Sequence, residues 1–343
     1  MSPNPPNPPN LPNRRTLLKN VGGLSLGMAV ASGGLLAATS PARAETASRP
    51  LPSPDHAGLR LVAHNEDDPR MWYYRFETDE VAWDPAINVL VPRGYRDDGR
   101  TYPVLYLLHG GGPGQDFISW DKTGIRELSE DKQIIIVMPD GGPCGWYSNP
   151  VTSNVGPRNW ETFHMSQVLP WVDANFRTFA EFDGRAVAGF SMGGFGALKY
   201  AAKYYGHFAS VSSYSGPAST RRDFGLVTHW ANFTSGAFEL GGGTVYGVPW
   251  DEGRVSADNP VENVERYRGK RVFMVAGDSP DPFDLFDRMN EEQVLAGQRE
   301  FRALLNDAGI PHESHEVGGG HFVRPELVRA DLDGMIGRLR SAG

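Results

Sequence analysis

The sequence predicts an α/β fold in which a mostly parallel central sheet is flanked by helices. Three observations carry this prediction: short apolar runs recur between turn residues, helical stretches separate the later runs, and a Gly-x-Ser-x-Gly sequence joins one run directly to a helix. The run 133–138 is apolar at every position after its first. A strand that is covered by helices on both faces requires such a pattern. Alternation of these strands with helices predicts a layered α/β domain.

The predicted elements follow one another in the order that this fold requires. Apolar and alternating runs predict strands at 59–64, 71–79, 86–92, 103–108, 133–138, 185–190, 208–214, 270–276 and 312–317. Helices are predicted over 192–205 and 325–339. Residues 216–268 are too long for a simple connection. We therefore expect a cap-like insertion that walls a pocket, the alternative being a plain surface excursion.

The first 44 residues have the composition of an export signal. They contain four cations and no acidic residue, and Arg14 and Arg15 form a twin-arginine pair. A mildly apolar stretch over 21–38 leads to an Ala-Arg-Ala cleavage pattern that ends at Ala44. We expect export by the twin-arginine route, with residues 45–343 as a secreted or cell-envelope catalytic domain. A membrane anchor is the alternative, but five glycines make the stretch weakly hydrophobic.

Charge and cysteine content restrict the partners and cofactors. The chain has a formal charge of −8, so removing the four cations of residues 1–44 leaves −12 for the remainder. Such an acidic protein is a poor partner for nucleic acid or an anionic membrane. Cys144 is the single cysteine, which excludes an intramolecular disulfide. The sequence has neither a Cys/His cluster at metal-ligand spacing nor a phosphate-binding Gly-Lys-Ser/Thr loop, so no cofactor is expected.

A candidate nucleophile lies in the run Gly189-Phe190-Ser191-Met192-Gly193. The run follows a predicted strand and opens a predicted helix, which is the order of the nucleophile elbow in α/β-hydrolases. Glycines around the serine let strand and helix approach closely at a strained turn. Ser191 is therefore the predicted nucleophile of an acyl transfer, and an ordinary glycine-rich turn is the alternative.

Chain order indicates His321 as the general base, because the order in this fold is serine, acid, histidine. His321 follows the predicted strand 312–317 through three glycines, in a loop that can bring an imidazole over the sheet. Six other histidines lie within that strand or precede the serine: His312 and His315, and His56, His64, His109 and His164.

The residues alone leave the acid open. Several carboxylates follow the predicted strand 270–276: Asp278, Asp281, Asp284, Asp287, Glu291 and Glu292. Hydrolase acids typically lie within a few residues of the strand end, which favours Asp278 or Asp281.

A second glycine-rich loop supplies candidate donors for an oxyanion hole. The predicted strand 103–108 runs into His109-Gly110-Gly111-Gly112. Backbone N–H groups of such a loop act together with the N–H that follows the nucleophile. Gly111 and Met192 are the predicted donors.

Further motifs occur along residues 70–343. They are Tyr106-Leu107-Leu108-His109-Gly110 continuing to Trp120-Asp121, Asn159-Trp160-Glu161-Thr162-Phe163, Gly189 to Gly194, Asp258-Asn259-Pro260 and Gly319-Gly320-His321. With these motifs the chain resembles the esterase D-like α/β-hydrolases and, within them, the exported mycolyltransferases of the antigen 85 type. In those enzymes the acid is a Glu in a segment that ends in a helical Phe. Matching that segment to residues 291–301 implies Glu291 as the acid, with a spacing to His321 that is common in the family.

Four departures from the mycolyltransferase pattern bear on the acyl acceptor. The family places Asp, Arg, Ser and Trp where this chain has His109, Gly112, Gly193 and Val323. Those positions line the sugar site of the family, so their loss implies that water is the acceptor.

We therefore expect an exported serine carboxylesterase that acts on a small-molecule, carbohydrate or lipid ester. A sugar acyltransferase of the mycolyltransferase type is one alternative. A non-enzymatic adhesion or cell-wall-binding protein is another, although retention of Ser191, His321 and a candidate acid argues against it. Cytosolic formylglutathione hydrolases share the elbow, but the export signal argues against that assignment.

Overall fold

The computed structural model describes residues 51–239 and 242–343, which are built around a nine-stranded sheet. The predicted export signal, residues 1–44 with its cleavage site at Ala44, lies outside the described residues. No helix in residues 51–239 or 242–343 is long and apolar enough to cross a membrane.

All nine predicted strands are present in the sheet, each within three residues of its predicted ends. The strands are β1 Arg60–Asn65, β2 Met71–Glu77, β3 Ala86–Leu90, β4 Val104–Leu108, β5 Ile135–Pro139, β7 Arg185–Phe190, β8 Ser210–Tyr214, β10 Arg271–Gly277 and β11 Glu313–Val317. Their order is β1-β2-β3-β5-β4-β7-β8-β10-β11. Strands β1 to β3 pair in antiparallel fashion at one edge, and β3 also pairs antiparallel with β5. The six strands from β5 to β11 are mutually parallel, which confirms the predicted α/β-hydrolase fold.

Helices cover both faces of this sheet. They are α1 Tyr95–Asp98, α2 Ser119–Lys122, α3 Ile125–Leu128, α4 Trp160–Thr162, α5 Leu169–Asn175, α6 Met192–Lys203, α7 Arg222–Phe238, α8 Glu252–Asp258, α9 Leu285–Asp307 and α10 Pro325–Arg338. A π-helical segment, Phe163–Val168, joins α4 to α5. A small two-stranded sheet pairs β6 Thr152–Ser153 with β9 Gly243–Thr244.

The central strands are apolar throughout because the helices bury both of their faces. In β4, Val104, Tyr106 and Leu108 belong to one apolar cluster, whereas Leu105 and Leu107 belong to the cluster on the opposite face. Burying an aliphatic side chain of this size contributes roughly 1.5–3 kcal/mol. The two clusters hold the sheet rigid, so its carboxyl edge can support loops of fixed geometry.

The residue patterns alone do not define where helix α9 begins and ends. Its start is set by Asp284, whose carboxylate accepts hydrogen bonds from the backbone N–H groups of Phe286 and Asp287 at 2.9 and 3.0 Å. An N-cap of this kind satisfies helix donors that would otherwise have no partner. The acidic stretch after β10 is therefore a loop only as far as Asp284.

Candidate active site

Ser191 lies at the turn between β7 and α6 in a strained backbone conformation. Its φ of 54° and ψ of −119° are unusual for a residue with a Cβ, and such strain costs on the order of 1–3 kcal/mol. The flanking glycines make the turn possible. A Cβ on Gly189 would lie 2.3 Å from the Gly193 carbonyl oxygen, and one on Gly193 would lie 2.3 Å from the Leu108 carbonyl oxygen.

The imidazole of His321 lies beside Ser191. Its Nε2 is 2.8 Å from the Ser191 Oγ, although the two residues are 130 positions apart in the chain. The loop from β11 to α10 carries the histidine, and the Phe190 ring packs against the imidazole at 5.0 Å between centroids. The side chain of His321 is 9% exposed, so the ring is shielded but accessible from the cavity described below.

Glu291 supplies the carboxylate at the other side of the imidazole. Its Oε2 is 2.6 Å from the His321 Nδ1, and its side chain is fully buried. The Oε1 atom accepts a hydrogen bond from the Ser215 hydroxyl at 2.9 Å and another from the Gly277 N–H. Acceptance by Glu291 places a proton on Nδ1, which leaves Nε2 free to accept the serine proton.

The other carboxylates considered from the sequence do not contact the imidazole. Asp278 accepts a hydrogen bond from the Ser279 hydroxyl, and Asp281 accepts one from the Phe283 N–H. Both are exposed. The expectation that the acid lies within a few residues of the strand end does not match these contacts. The carboxylate that reaches His321 lies inside α9, on a buried helix face.

The sequence analysis did not assign the roles of two residues in this arrangement, Asp287 and Ser215. Asp287, one helical turn before Glu291, accepts a hydrogen bond from the backbone N–H of His321. Ser215, which binds the Glu291 carboxylate, has a left-handed φ of 48° directly after β8. The Ser-Gly-Pro turn after a strand was the available signal for Ser215, and the i, i+4 carboxylate pair was the signal for Asp287.

The two predicted oxyanion donors lie side by side next to the serine. A Cβ on Gly111 would be 3.3 Å from the Met192 Cβ, and one on Gly110 would be 3.5 Å from the Ser191 Cβ. Within residues 51–239 and 242–343, neither the Gly111 N–H nor the Met192 N–H donates to a protein acceptor. Both donors are therefore available to a ligand atom at Ser191.

An apolar cavity of about 140 Å³ opens at Ser191 and His321. Within the predicted insertion 216–268, side chains between Pro217 and Phe238 form one wall, and α9 forms another. Lining side chains include Cys144, Trp146, Met192, Leu226, Trp230, Phe238, Phe286, Met289 and Val294. The cavity is chemically suited to an acyl chain or an aromatic acyl group.

A second, more polar cavity of about 240 Å³ lies at His109 and Gly110, which precede in the chain the Gly111 and Gly112 that line the first cavity. Its lining combines Phe190 and Val323 with the polar side chains of Gln115, Ser119, Lys122 and Thr123.

The four positions that depart from the mycolyltransferase pattern do not line a single cavity in this chain. Gly112 lines the apolar cavity, whereas His109 and Val323 line the polar one. Gly193 lines neither, since any side chain there would collide with the β4 backbone. The expectation that all four positions would face an acceptor therefore needs correction for Gly193, whose role is close packing of the elbow.

A buried charge cluster secures helix α6 behind the serine. The Lys199 ammonium is 2.8 Å from Glu161 and 2.9 Å from Asp258, and it also donates to the Tyr147 carbonyl and the Ser148 hydroxyl. Lysine at this depth is stable only when its charge is paired in this way. The two acids belong to the Asn-Trp-Glu-Thr-Phe and Asp-Asn-Pro motifs, so those motifs have a structural role.

No group of three or more His, Cys, Asp or Glu side chains within residues 51–239 and 242–343 is arranged to hold a metal ion.

Comparisons with known proteins identify the family of this chain. The sequence profile of the family described as "Putative esterase" matches residues 78–339. The esterase Rv1288 of Mycobacterium tuberculosis (strain ATCC 25618 / H37Rv) is 70% identical over 289 residues, which make up 84% of this chain and 63% of that protein. This chain thus spans less than two thirds of the length of that relative.

More distant relatives extend the likeness to acyltransferases. The diacylglycerol acyltransferase/mycolyltransferase Ag85A of Mycobacterium tuberculosis is 33% identical over 247 residues, which are 69% of this chain and 70% of that protein. The crystal structure of Mycobacterium tuberculosis MPT51 (FbpC1) superposes with a TM-score of 0.62 at 18% identity, over 81% of this chain and 100% of that one. The latter likeness shows a shared fold. The chain belongs to the esterase family whose profile it matches, and it is distantly similar to the antigen 85 mycolyltransferases.

Proposed function

We propose that this protein is an exported serine carboxylesterase in which Ser191, His321 and Glu291 form the catalytic triad. The hydrogen-bonded line from the Ser191 Oγ through both nitrogens of His321 to Glu291 is the observation that carries the proposal. The twin-arginine pattern of residues 1–44 supports export. An unbroken line of this kind argues against a non-enzymatic adhesion protein.

In this mechanism the Ser191 Oγ attacks the ester carbonyl carbon while its proton passes to the His321 Nε2. The N–H groups of Gly111 and Met192 stabilise the oxyanion of the tetrahedral intermediate. The imidazolium then gives the proton to the leaving alcohol oxygen as the C–O bond breaks. Water attacks the resulting acyl-enzyme with His321 again as base, which releases the acid and restores Ser191.

The acyl side of the substrate is expected to be apolar. A cavity of about 140 Å³ lined by tryptophan, phenylalanine and aliphatic side chains admits a short chain or a single ring. Phe286 and Met289, at its edge, are 61% and 43% exposed, so a longer chain would continue over them.

Replacement of Ser191 by Ala tests the triad. Turnover of a p-nitrophenyl ester by the purified chain should fall on the order of 10⁴-fold or more, while the circular dichroism spectrum stays unchanged. The parent should be labelled covalently by a fluorophosphonate and the variant should not. Labelling of both, or equal turnover by both, would show that another group is the nucleophile.

Acyl transfer to an alcohol is the second candidate, and two observations favour it. Ag85A is named as an acyltransferase, and a polar cavity lies at Gly110, the residue before Gly111 of the acyl cavity. Mass spectrometry of the products separates the two activities when trehalose or glucose is added at millimolar concentration. We expect free acid to predominate, since Gly112 and Val323 offer no side-chain hydrogen bond to a sugar. Predominant acyl sugar would establish the transferase.

A further inference from the structure

His109 is a buried imidazole with both ring nitrogens engaged by backbone groups. Its Nδ1 is 2.7 Å from the Gly110 carbonyl oxygen, and its Nε2 is 2.9 Å from the Gly141 nitrogen. A carbonyl oxygen can only accept and a backbone N–H can only donate. The ring must therefore be the neutral tautomer that carries its proton on Nδ1. Burial stabilises this neutral form and lowers the pKa of His109 to about 4.

The Gly110 carbonyl belongs to the same peptide unit as the Gly111 N–H. In a trans peptide these two groups point in opposite directions within one plane. A hydrogen bond that holds the carbonyl on the His109 side therefore holds the N–H on the other side. Gly111 lines the cavity that contains Ser191, so that other side faces the site of the oxyanion.

Hydrogen bonds on either side fix the neighbouring backbone, so the Gly110–Gly111 peptide is the part of the loop that can still rotate. The Gly112 N–H is fixed by the Pro143 carbonyl at 2.6 Å, and the His109 carbonyl accepts from the Tyr147 hydroxyl at 2.7 Å. Between these two anchors stand glycines, which rotate more easily than other residues. Within the described residues, the imidazole is the group that bonds the Gly110 carbonyl.

We propose that His109 is a positioning residue for the oxyanion hole: its Nδ1–H fixes the Gly110–Gly111 peptide so that the Gly111 N–H points at the transition-state oxygen. This inference rests on the proposed esterase function. Both ring nitrogens of His109 are bonded to backbone groups and are not free to bind an acceptor. The histidine at this position, which differs from the aspartate of the mycolyltransferases, is thus tied to transition-state stabilisation.

Two variants separate the two hydrogen bonds of the ring. In His109→Asn the amide nitrogen lies near the former Nδ1 and can donate to the Gly110 carbonyl, whereas the contact to Gly141 is lost. In His109→Gln the amide oxygen lies near the former Nε2 and can accept from Gly141, whereas the donor to Gly110 is lost. Both are measured against the parent for kcat, KM and thermal midpoint, together with affinity for a boronic acid that forms a tetrahedral adduct with the serine.

We expect His109→Gln to lower kcat about 10- to 100-fold with little change in KM, since removal of one oxyanion donor costs about 10²–10³-fold and misalignment costs less. Affinity for the boronic acid should fall by a similar factor. His109→Asn should keep most of the kcat of the parent, even if its thermal midpoint is lower than that of His109→Gln.

Equal kcat in His109→Gln and the parent would overturn the inference. It would also be overturned if the variant with the lower thermal midpoint were always the one with the lower kcat, because the loss would then report stability alone. The parent and Ser191→Ala are included in the same assay. An inactive parent would contradict the esterase proposal itself, which distinguishes that failure from a failure of the role of His109.

Discussion

Two carboxylates of helix α9 reach the same histidine. Glu291 accepts from the imidazole, and Asp287, one turn earlier, accepts from the backbone N–H of His321. Residues four apart lie on one face of a helix, so a single element sets both the ring orientation and the loop that carries it. Burial of Glu291 among Ser215, Gly277 and His321 prevents the carboxylate from turning away.

Replacing Glu291 by Gln should lower kcat about 10³- to 10⁴-fold with an intact fold, because the amide favours the wrong imidazole tautomer and cannot stabilise the imidazolium. The matched control is Asp281→Asn, because the Asp281 side chain is exposed and its carboxylate accepts a hydrogen bond from the Phe283 N–H of its own loop. Steady-state kinetics on one activated ester measures both. If Asp281→Asn lowered kcat as much as Glu291→Gln, the assignment of Glu291 would be contradicted and Asp281 would again be a candidate for the acid.

At the scale of elements, helix α7 forms the cavity wall and is fastened at its carboxyl end. The guanidinium of Arg158 is fully buried, pairs with Glu239 and donates to the Ser235 carbonyl at 3.2 Å. It also donates to the Ser153 hydroxyl of β6 at 3.0 Å. A cation at this end complements the helix dipole. Arg158 thereby joins the small β6–β9 sheet to the helix whose Trp230 and Phe238 line the apolar cavity.

Arg158→Met should destabilise the protein by about 3–5 kcal/mol, since it leaves Glu239 buried without its partner. Arg158→Met/Glu239→Gln should regain part of this loss, because the second change removes the buried charge. Urea unfolding of the parent, both single variants and the double variant forms a complete mutant cycle. Strictly additive losses would show that the pair is not coupled.

At the scale of the whole molecule, the fold buries two neutral histidines beneath the active-site loops. Burial lowers the pKa of His109 to about 4 and that of His164 to about 3. The Nδ1 of His164 is 2.9 Å from the Tyr200 hydroxyl, and its Nε2 is 2.9 Å from the Asp140 carbonyl. Below the ordinary histidine pKa of about 6.5 the unfolded chain binds protons that the folded chain does not, so acid weakens the fold.

Each of these histidines should cost about 2 kcal/mol of stability between pH 7 and pH 5. Burial raises the pKa of Asp140, which has the opposite sign, so the measurement must isolate one group. His164→Gln keeps a donor for the Asp140 carbonyl and removes the titration. The parent should therefore lose about 2 kcal/mol more than this variant over the same interval of pH, as measured by urea unfolding. Equal losses would contradict a buried neutral His164.

The local order of residue types along the chain was sufficient to predict the sheet and two of the candidate site residues, Ser191 and His321. The nine strands were predicted because burial on both faces leaves an apolar run that flanking turns delimit. Ser191 and His321 were predictable because an elbow and a glycine loop after a strand are local features with a fixed chain order. Their catalytic roles stay predictions until the variants are measured.

What the sequence determined by itself was therefore the sheet, the elbow and the position of the histidine that bonds Ser191, since each depends on spacing within a few residues. Only the tertiary structure decided which carboxylate meets His321, because Glu291 lies on the buried face of α9 and Asp281 in the exposed loop before it, although both side chains are carboxylates. Only it showed that His109 bonds the peptide of Gly111 and that Gly193 has no room for a side chain. The contacts of Glu291 and of Gly193 join segments far apart in the chain, and close packing fixes their geometry.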